Sequence, residues 1–218
     1  MGHPLWPLFD LRLTTSDLEL RHLTEADLPE LARVLPLDVE LNPADFRFAD
    51  MDVAQQRGVS FAQSYWRSLG TWTPDSWAIR FGVFHQGELI GAQVLEGDDF
   101  LVLRTVDSAS FLSAAARGRG WGKQMRRAVL ALAFGPLAAE YAITSAWHDN
   151  AASLGVSRAL GYIDNGVERH RREGRVAPDE LVDDMVHLRL SRDEWERRQG
   201  ADGITIAAFD ACRPLFGR

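Results

Sequence analysis

Arg117-Gly118-Arg119-Gly120-Trp121-Gly122-Lys123 gathers glycines and cations in one short run, a composition suited to holding a diphosphate. Glycine lets the main chain come close to a ligand, and the N-terminus of a following helix offers unpaired N–H groups and a positive dipole end. Trp121, Met125, Ala128, Val129 and Leu132 recur at helical spacing, so the run sits where a strand hands over to a helix. Two common phosphate loops are excluded by spacing. The dinucleotide fingerprint needs G-x-G-x-x-G and a later ribose-binding acid, and the Walker loop needs Ser or Thr after its lysine. Here Gly118, Gly120 and Gly122 alternate, and Lys123 is followed by Gln124.

A second segment follows. Tyr141 to Trp147 reads as a strand, and Asn150 to Tyr162 as a short helix closed by Gly161. The pattern Arg-x-x-Gly-x-Gly at Arg117, Gly120 and Gly122 resembles the coenzyme A pyrophosphate loop of the GNAT (Gcn5-related N-acetyltransferase) acyltransferases. Asn150, Ser153 and Leu160-Gly161-Tyr162 resemble the same family's Asn-x-x-Ser … Leu-Gly-Phe/Tyr motif. The opening, with strand Leu18 to Arg21 and a capped helix from Thr24, resembles its ribosomal-protein-alanine acetyltransferase branch (RimJ/RimL-like).

The resemblance implies an acyl-coenzyme A-dependent N-acyltransferase that moves an acetyl or succinyl group to a primary amine, on a protein N-terminus, a lysine or a small molecule. It implies that main-chain N–H groups around Phe111, Leu112 and Ser113 polarise the thioester carbonyl. Arg117, Gly118, Arg119, Gly120, Trp121, Gly122 and Lys123 would carry the pyrophosphate, and Asn150 and Ser153 would bond the pantetheine arm or hold the loop. One departure matters: Ser157 stands where the family usually has the tyrosine that protonates the leaving thiolate. A serine hydroxyl donates a hydrogen bond but is a poor acid, so either Ser157, as the catalytic candidate, or Ser153 assists through water, or the thiolate leaves without a dedicated donor. Asp107 lies on a strand position where family members often carry an acid, and is the candidate general base; Glu96, Asp98, Asp99 and His148 are its rivals. The missing tyrosine equally supports a non-catalytic acyl-coenzyme A sensor. His148-Asp149 lacks a serine elbow or a second histidine at ligand spacing, so no metal is expected.

The elements that must position these groups follow from periodicity. Val53 to Leu69 reads as a helix, and Ser76 to Phe84 with Glu88 to Leu95 as a hairpin turning at His85-Gln86-Gly87. Arg104 to Leu112 is the strand running into the glycine loop. The fold class expected is α/β (α+β): one GNAT domain over residues 1–218, with a mixed, splayed sheet of about seven strands flanked by helices. With 218 residues, 46% hydrophobic and 25% charged, the composition is that of a globular chain. Without a span-length apolar run or a charged leader, a cytoplasmic protein is expected. Cys212, the only cysteine, rules out an intramolecular disulfide.

A net charge of −7 argues against nucleic acid, and no membrane partner is expected. Acids crowd residues 14–52, while Arg117, Arg119, Lys123, Arg126 and Arg127 stand together without one; this suits a polyanion at one end and a cation at the other, or simply wet helix faces. Trp66, Trp72, Trp77, Phe46, Phe48, Phe61 and Tyr65 form either an acceptor pocket or core. Patches such as Trp6 to Arg12, Val106-Asp107-Ser108, Asp164-Asn165-Gly166 and Cys212 to Gly217 resemble a mycobacterial, succinyl-coenzyme A-associated member of the superfamily. That likeness implies a cation facing a distal carboxylate, with Arg104 and Arg169-His170-Arg171-Arg172 as candidates. The apolar ends, 1–16 and 200–218, suggest a homo-oligomer.

Overall fold

The computed structural model describes residues 2–39, 47–173, 180–198 and 200–217. Its elements in chain order are β1 (Arg12–Thr14), β2 (Glu19–His22), α1 (Leu28–Val34), α2 (Val53–Gly70), β3 (Trp77–His85), β4 (Glu88–Gly97), α3 (Phe100–Leu103) and β5 (Thr105–Leu112). After these come α4 (Trp121–Phe134), β6 (Tyr141–Trp147), α5 (Ala151–Ala159), β7 (Ile163–Glu173), β8 (Glu180–Ser191), α6 (Arg192–Arg197) and β9 (Thr205–Ala207). Local chemistry sets several ends. Asp52 and Gln55 form a reciprocal capping box at the start of α2. Gln86 and Gly87 both take positive φ, the two-residue turn that matches strand twist.

The described strands form one mixed sheet in the order β7-β8-β6-β5-β4-β3-β2-β1-β9. The expected sheet of about seven strands thus has nine. The additions are the short strands β1 and β9, which pair with each other antiparallel. Three-residue strands are too short for alternation to announce them.

That pairing accounts for the apolar ends within the chain. Leu8, Leu11 and Leu13 from one end and Phe209, Cys212 and Phe216 from the other are buried in the main core, and Trp72 Nε1 donates to Leu215 O at 2.9 Å. The ends seal the molecule's own sheet edge, so their apolarity needs no second subunit. Burial also pushes the Cys212 thiol up to about 11, which makes it a core residue without thiolate chemistry.

Helices cover both faces. On one lies α4, whose predicted apolar positions Trp121, Met125, Ala128, Val129 and Leu132 are all buried. On the other lie α1 and α2, with Phe61 edge-on to Phe111 and Ser64 accepting from Arg80 Nη2 at 2.6 Å. The aromatic cluster divides accordingly. Trp72 and Trp77 pack with Phe216, and Trp77 also meets Phe100, in the core. Tyr65 is buried against His22, Trp66 is exposed, and Phe46 lies outside the described residues. No helix among the described residues is long and apolar enough to cross a membrane.

Candidate active site

A groove opens where two neighbouring strands part. β5 and β6 run parallel and pair only at Thr105↔Tyr141, Val106↔Ala142 and Asp107↔Ile143; beyond that they diverge. Ala109, Ser110 and Ser145, although in the middle of interior strands, are exposed. Such residues are normally covered, so their exposure marks a cleft cut into the sheet. The main chain of β5 alternates its donors. Ser113 N–H donates to Ile90 O at 2.8 Å, on the β4 side, and Phe111 N–H points the same way by the two-residue period of a strand. The N–H groups of Ser110 and Leu112 therefore face the cleft.

At the mouth of the cleft the glycine run becomes a helix start. Gly118 (φ +75°) and Gly120 (φ +79°) are left-handed, a conformation that costs other residues about 1–2 kcal/mol. Gly120 is the N-cap of α4 and brings no capping side chain. Its carbonyl takes Lys123 N–H at 3.1 Å, while the Trp121 and Gly122 N–H groups, in the first turn, have no acceptor within the helix. Around the turn, the Trp121 ring lies 4.3 Å from His85 and Arg119 sits over it at 5.1 Å. Gln124 ties the same turn to the β1–β2 connection, accepting from Thr15 Oγ1 at 2.8 Å and donating to Asp17 at 2.6 Å. The result is a fixed nest of main-chain donors flanked by exposed Arg119 and Lys123.

At the inner end, where β5 and β6 part, stands Asp107. One carboxylate oxygen accepts from the Ser108 N–H at 2.5 Å, which turns it toward the apex of the cleft. Glu96 is its direct antiparallel neighbour on β4. Both carboxyls are pushed above the usual carboxylate range, first by burial. The charge of Asp107 raises Glu96 further, while Arg80 pulls Glu96 back. The Ser108 hydrogen bond, Arg126 behind the strand and His187 pull Asp107 back. Arg80, Glu96 and Asp107 share one sheet face by register with Ser145 and His187. Two interacting buried carboxyls titrate as a pair, and a raised carboxyl is suited to accepting a proton near neutrality.

A family model, the acetyltransferase (GNAT) domain, matches residues 17–163. The chain is a GNAT protein. Two solved structures show the same fold. One is Mycobacterium smegmatis RimJ in complex with CoA-disulfide, at 13% identity and TM-score 0.64, covering 89% of this chain and 97% of that one. The other is a mutant form of the spermidine/spermine N-acetyltransferase SpeG from Vibrio cholerae, at 17% identity and TM-score 0.62, covering 84% and 99%.

In this GNAT chain the residues expected from the sequence come together around the cleft, with four corrections of detail. Leu112 keeps its role as a cleft-facing donor, whereas Ser113 and Phe111 turn their N–H groups to β4; strand alternation explains this, and Ser110 is the donor that sequence reading missed. Arg117 is held by Asp38 in a two-point ion pair, at 2.6 and 2.8 Å, and donates to Leu112 O, so it meets a diphosphate only by exchanging partners. Ser157 is fully buried and donates to Ser153 O at 3.0 Å; its proton is engaged inside α5. Arg104 is spent on the carbonyls of Leu137 and Ala138 and on the Phe100 ring.

Other candidates fall as follows. Asn150 caps α5, accepting from Ser153 N–H at 3.1 Å, so the two residues of the Asn-x-x-Ser motif act on the helix start beside the cleft. Asp98 and Asp99 are exposed in the turn after β4. His148 pairs through Nδ1 with Asp183 at 2.8 Å. Arg169 to Arg172 alternate along β7, and Arg172 is ion-paired to Asp149 at 3.0 Å and Asp183 at 2.7 Å. Glu96 and Arg80 carry no motif; only the register of β3, β4 and β5 puts them beside Asp107.

Proposed function

We propose that this chain is an acyl-coenzyme A-dependent N-acyltransferase in which Asp107 accepts the proton of an attacking primary amine. The observation that carries this reading is the position of Asp107: a carboxyl with a raised pKa, at the apex of a cleft whose other end is a nest of main-chain donors. A thioester bound in the cleft supplies an acyl carbon open to direct attack. The N–H groups of Trp121 and Gly122, with Arg119 and Lys123, hold a diphosphate at the mouth. The Ser110 and Leu112 N–H groups stabilise negative charge on the carbonyl oxygen. Asp107, whose carboxyl is kept basic by burial, takes the amine proton. With Ser157 engaged in α5, the departing thiolate takes its proton from water. The acidic pair favours a cationic amine as acceptor.

The same pair, and the commitment of Arg104 and Arg172 to other partners, favour an acetyl over a succinyl donor, since a second carboxylate near Glu96 and Asp107 would be repelled. A non-catalytic sensor is the second reading, drawn from the absence of the tyrosine. Calorimetry with acetyl-coenzyme A, succinyl-coenzyme A and free coenzyme A tests the reading on the wild type and on a Gly120→Asp, Gly122→Asp double variant, whose carboxylates repel a diphosphate. Saturable binding by the wild type, lost in the double variant and strongest for the acetyl donor, is expected. No binding by the wild type would overturn it. Binding without turnover of any amine tried, in a protein indifferent to Asp107→Asn, would favour the sensor.

A further inference from the structure

Past the far edge of the cleft, the sheet face that carries Asp107 continues across β6 to the hairpin of β7 and β8. Glu168 and His170 are alternate residues of β7 and so share a face. His187 joins them from β8, because Glu168 is opposite Met185 and His187 is two residues on. One ligand atom from each of Glu168, His170 and His187 lies within 4.8 Å of the others.

The distances inside this triad are informative. His170 Nε2 stands 3.3 Å and His187 Nε2 3.4 Å from the same oxygen, Glu168 Oε2. Charge-assisted N–H···O bonds are normally about 2.7–2.9 Å, so both contacts are long for that purpose. Tetrahedral ligands at about 2.0–2.1 Å from a zinc ion stand about 3.3 Å apart. The two edges that meet at Glu168 Oε2 therefore match a metal site more nearly than a charge-assisted hydrogen bond, and the third is within 4.8 Å. His187 gives a second indication: its Nε2 is closed off from solvent and makes no hydrogen bond. A buried imidazole nitrogen whose polar neighbour, Glu168 Oε2, is too far for a good hydrogen bond is a cost unless something occupies its lone pair. Arg172, next along the same face of β7, has its charge matched by Asp149 and Asp183.

We propose that Glu168, His170 and His187 form a binding site for a divalent, imidazole-preferring cation of the zinc class. Two histidines and one carboxylate suit that class of ion. Three protein ligands leave a fourth position for water. The ion clasps β7, which among the described strands has a neighbour on one side only, to β8, which is itself paired to β6, on the face the acceptor would approach.

The experiment is calorimetric titration of the chelator-treated full chain with zinc chloride at neutral pH, alongside Co²⁺ absorption spectroscopy and thermal melts. One ion per chain is expected, with the intense visible bands of tetrahedral cobalt and a melting midpoint that rises with zinc. His187→Ala and Glu168→Gln should each weaken binding at least tenfold while keeping the wild-type circular dichroism. His148→Ala, which removes an exposed histidine outside the triad, should leave binding unchanged. No saturable binding, or binding that survives His187→Ala, or binding lost equally in His148→Ala, would overturn the assignment. A misfolded His187→Ala would leave Glu168→Gln to decide it, since that change keeps the side-chain volume.

Discussion

At the mouth of the cleft the binding groups are main-chain N–H groups of one continuous segment, Gly118 to Lys123, whereas at its apex they are side chains delivered by β3, β4 and β5. The mouth depends on two left-handed glycines and a bare helix N-terminus. The apex depends on partial burial of Glu96 and Asp107 and on their opposing positions. In the proposed function, backbone geometry carries binding in the first case, and the energetics of buried charge carry chemistry in the second. Substitutions at the mouth should change affinity for the donor, and substitutions at the apex should change turnover.

The largest separation of the two is expected from Asp107→Asn. Turnover should fall by roughly 10²–10⁴, the usual contribution of a positioned base, with donor affinity unchanged by calorimetry. The pH dependence sharpens this. Because the pair is raised above the carboxylate range, the acid limb of kcat/KM should lie above that range and move down in Glu96→Gln, which removes the mutual repulsion. Stability should move the other way. A folded-state pKa raised above the unfolded value gives stability that is complete below the unfolded pKa and lost as pH rises through the folded one. Asp107→Asn should therefore melt higher than wild type at pH 7, an advantage that shrinks as pH falls toward the unfolded carboxylate pKa. A variant that loses affinity and turnover together, or melts lower at pH 7, would place Asp107 in the structure of the mouth and not in the chemistry.

A smaller effect of the opposite kind is expected from Gly120→Ala. Open space surrounds the position where its Cβ would go, so the cost is the left-handed backbone alone, about 1–2 kcal/mol. Relaxation of the turn to negative φ would re-aim the first N–H groups of α4. Donor affinity should drop by roughly tenfold, while kcat at saturating donor stays within about twofold, as expected when binding is lost equally in ground and transition states. Steady-state kinetics against donor concentration reads both numbers. A fall in kcat with unchanged KM would break the division between mouth and apex.

The same contrast explains what could be read before the structure. The mouth was legible because its signal is contiguous: glycines, cations and helical periodicity at Trp121, Met125, Ala128, Val129 and Leu132 lie in one stretch, and α4 begins at Trp121 as expected. β6 also spans Tyr141–Trp147 as read. At the apex, only a family resemblance points to Asp107. Glu96 is one rival among several in the sequence, and Arg80 carries no signal there, because cross-strand register has no signature in a single segment. Of the three donors expected, Phe111 and Ser113 turn to β4 and Leu112 faces the gap, because strand periodicity says that donors alternate but not which set faces the gap. Ser157 was correctly noted as a departure, yet its hydrogen bond to Ser153 O depends on helix geometry that the motif does not carry. The pairing of β1 with β9 joins the two ends of the chain, beyond the reach of any local pattern.

The Asp38–Arg117 ion pair also links the acidic N-terminal stretch to the mouth, and it gives the smallest of the expected effects. Asp38 grips Arg117 at two points, with both side chains a little under half exposed, and this pair holds a cation that the family motif assigns to the diphosphate. A partly exposed ion pair is worth about 0–1 kcal/mol, so Arg117 can be transferred to a doubly charged ligand at little cost. Asp38→Asn should thus tighten donor binding by up to about fivefold at low ionic strength, with the gain shrinking in high salt as both contacts are screened. Turnover at saturating donor should not change. Calorimetry at two salt concentrations distinguishes the outcomes. Tighter binding means that Asp38 and the diphosphate compete for Arg117, whereas weaker binding means that Asp38 holds Arg117 in its binding position. Unchanged affinity at both salts would remove Arg117 from the mouth, leaving the main-chain nest with Arg119 and Lys123 to carry the diphosphate.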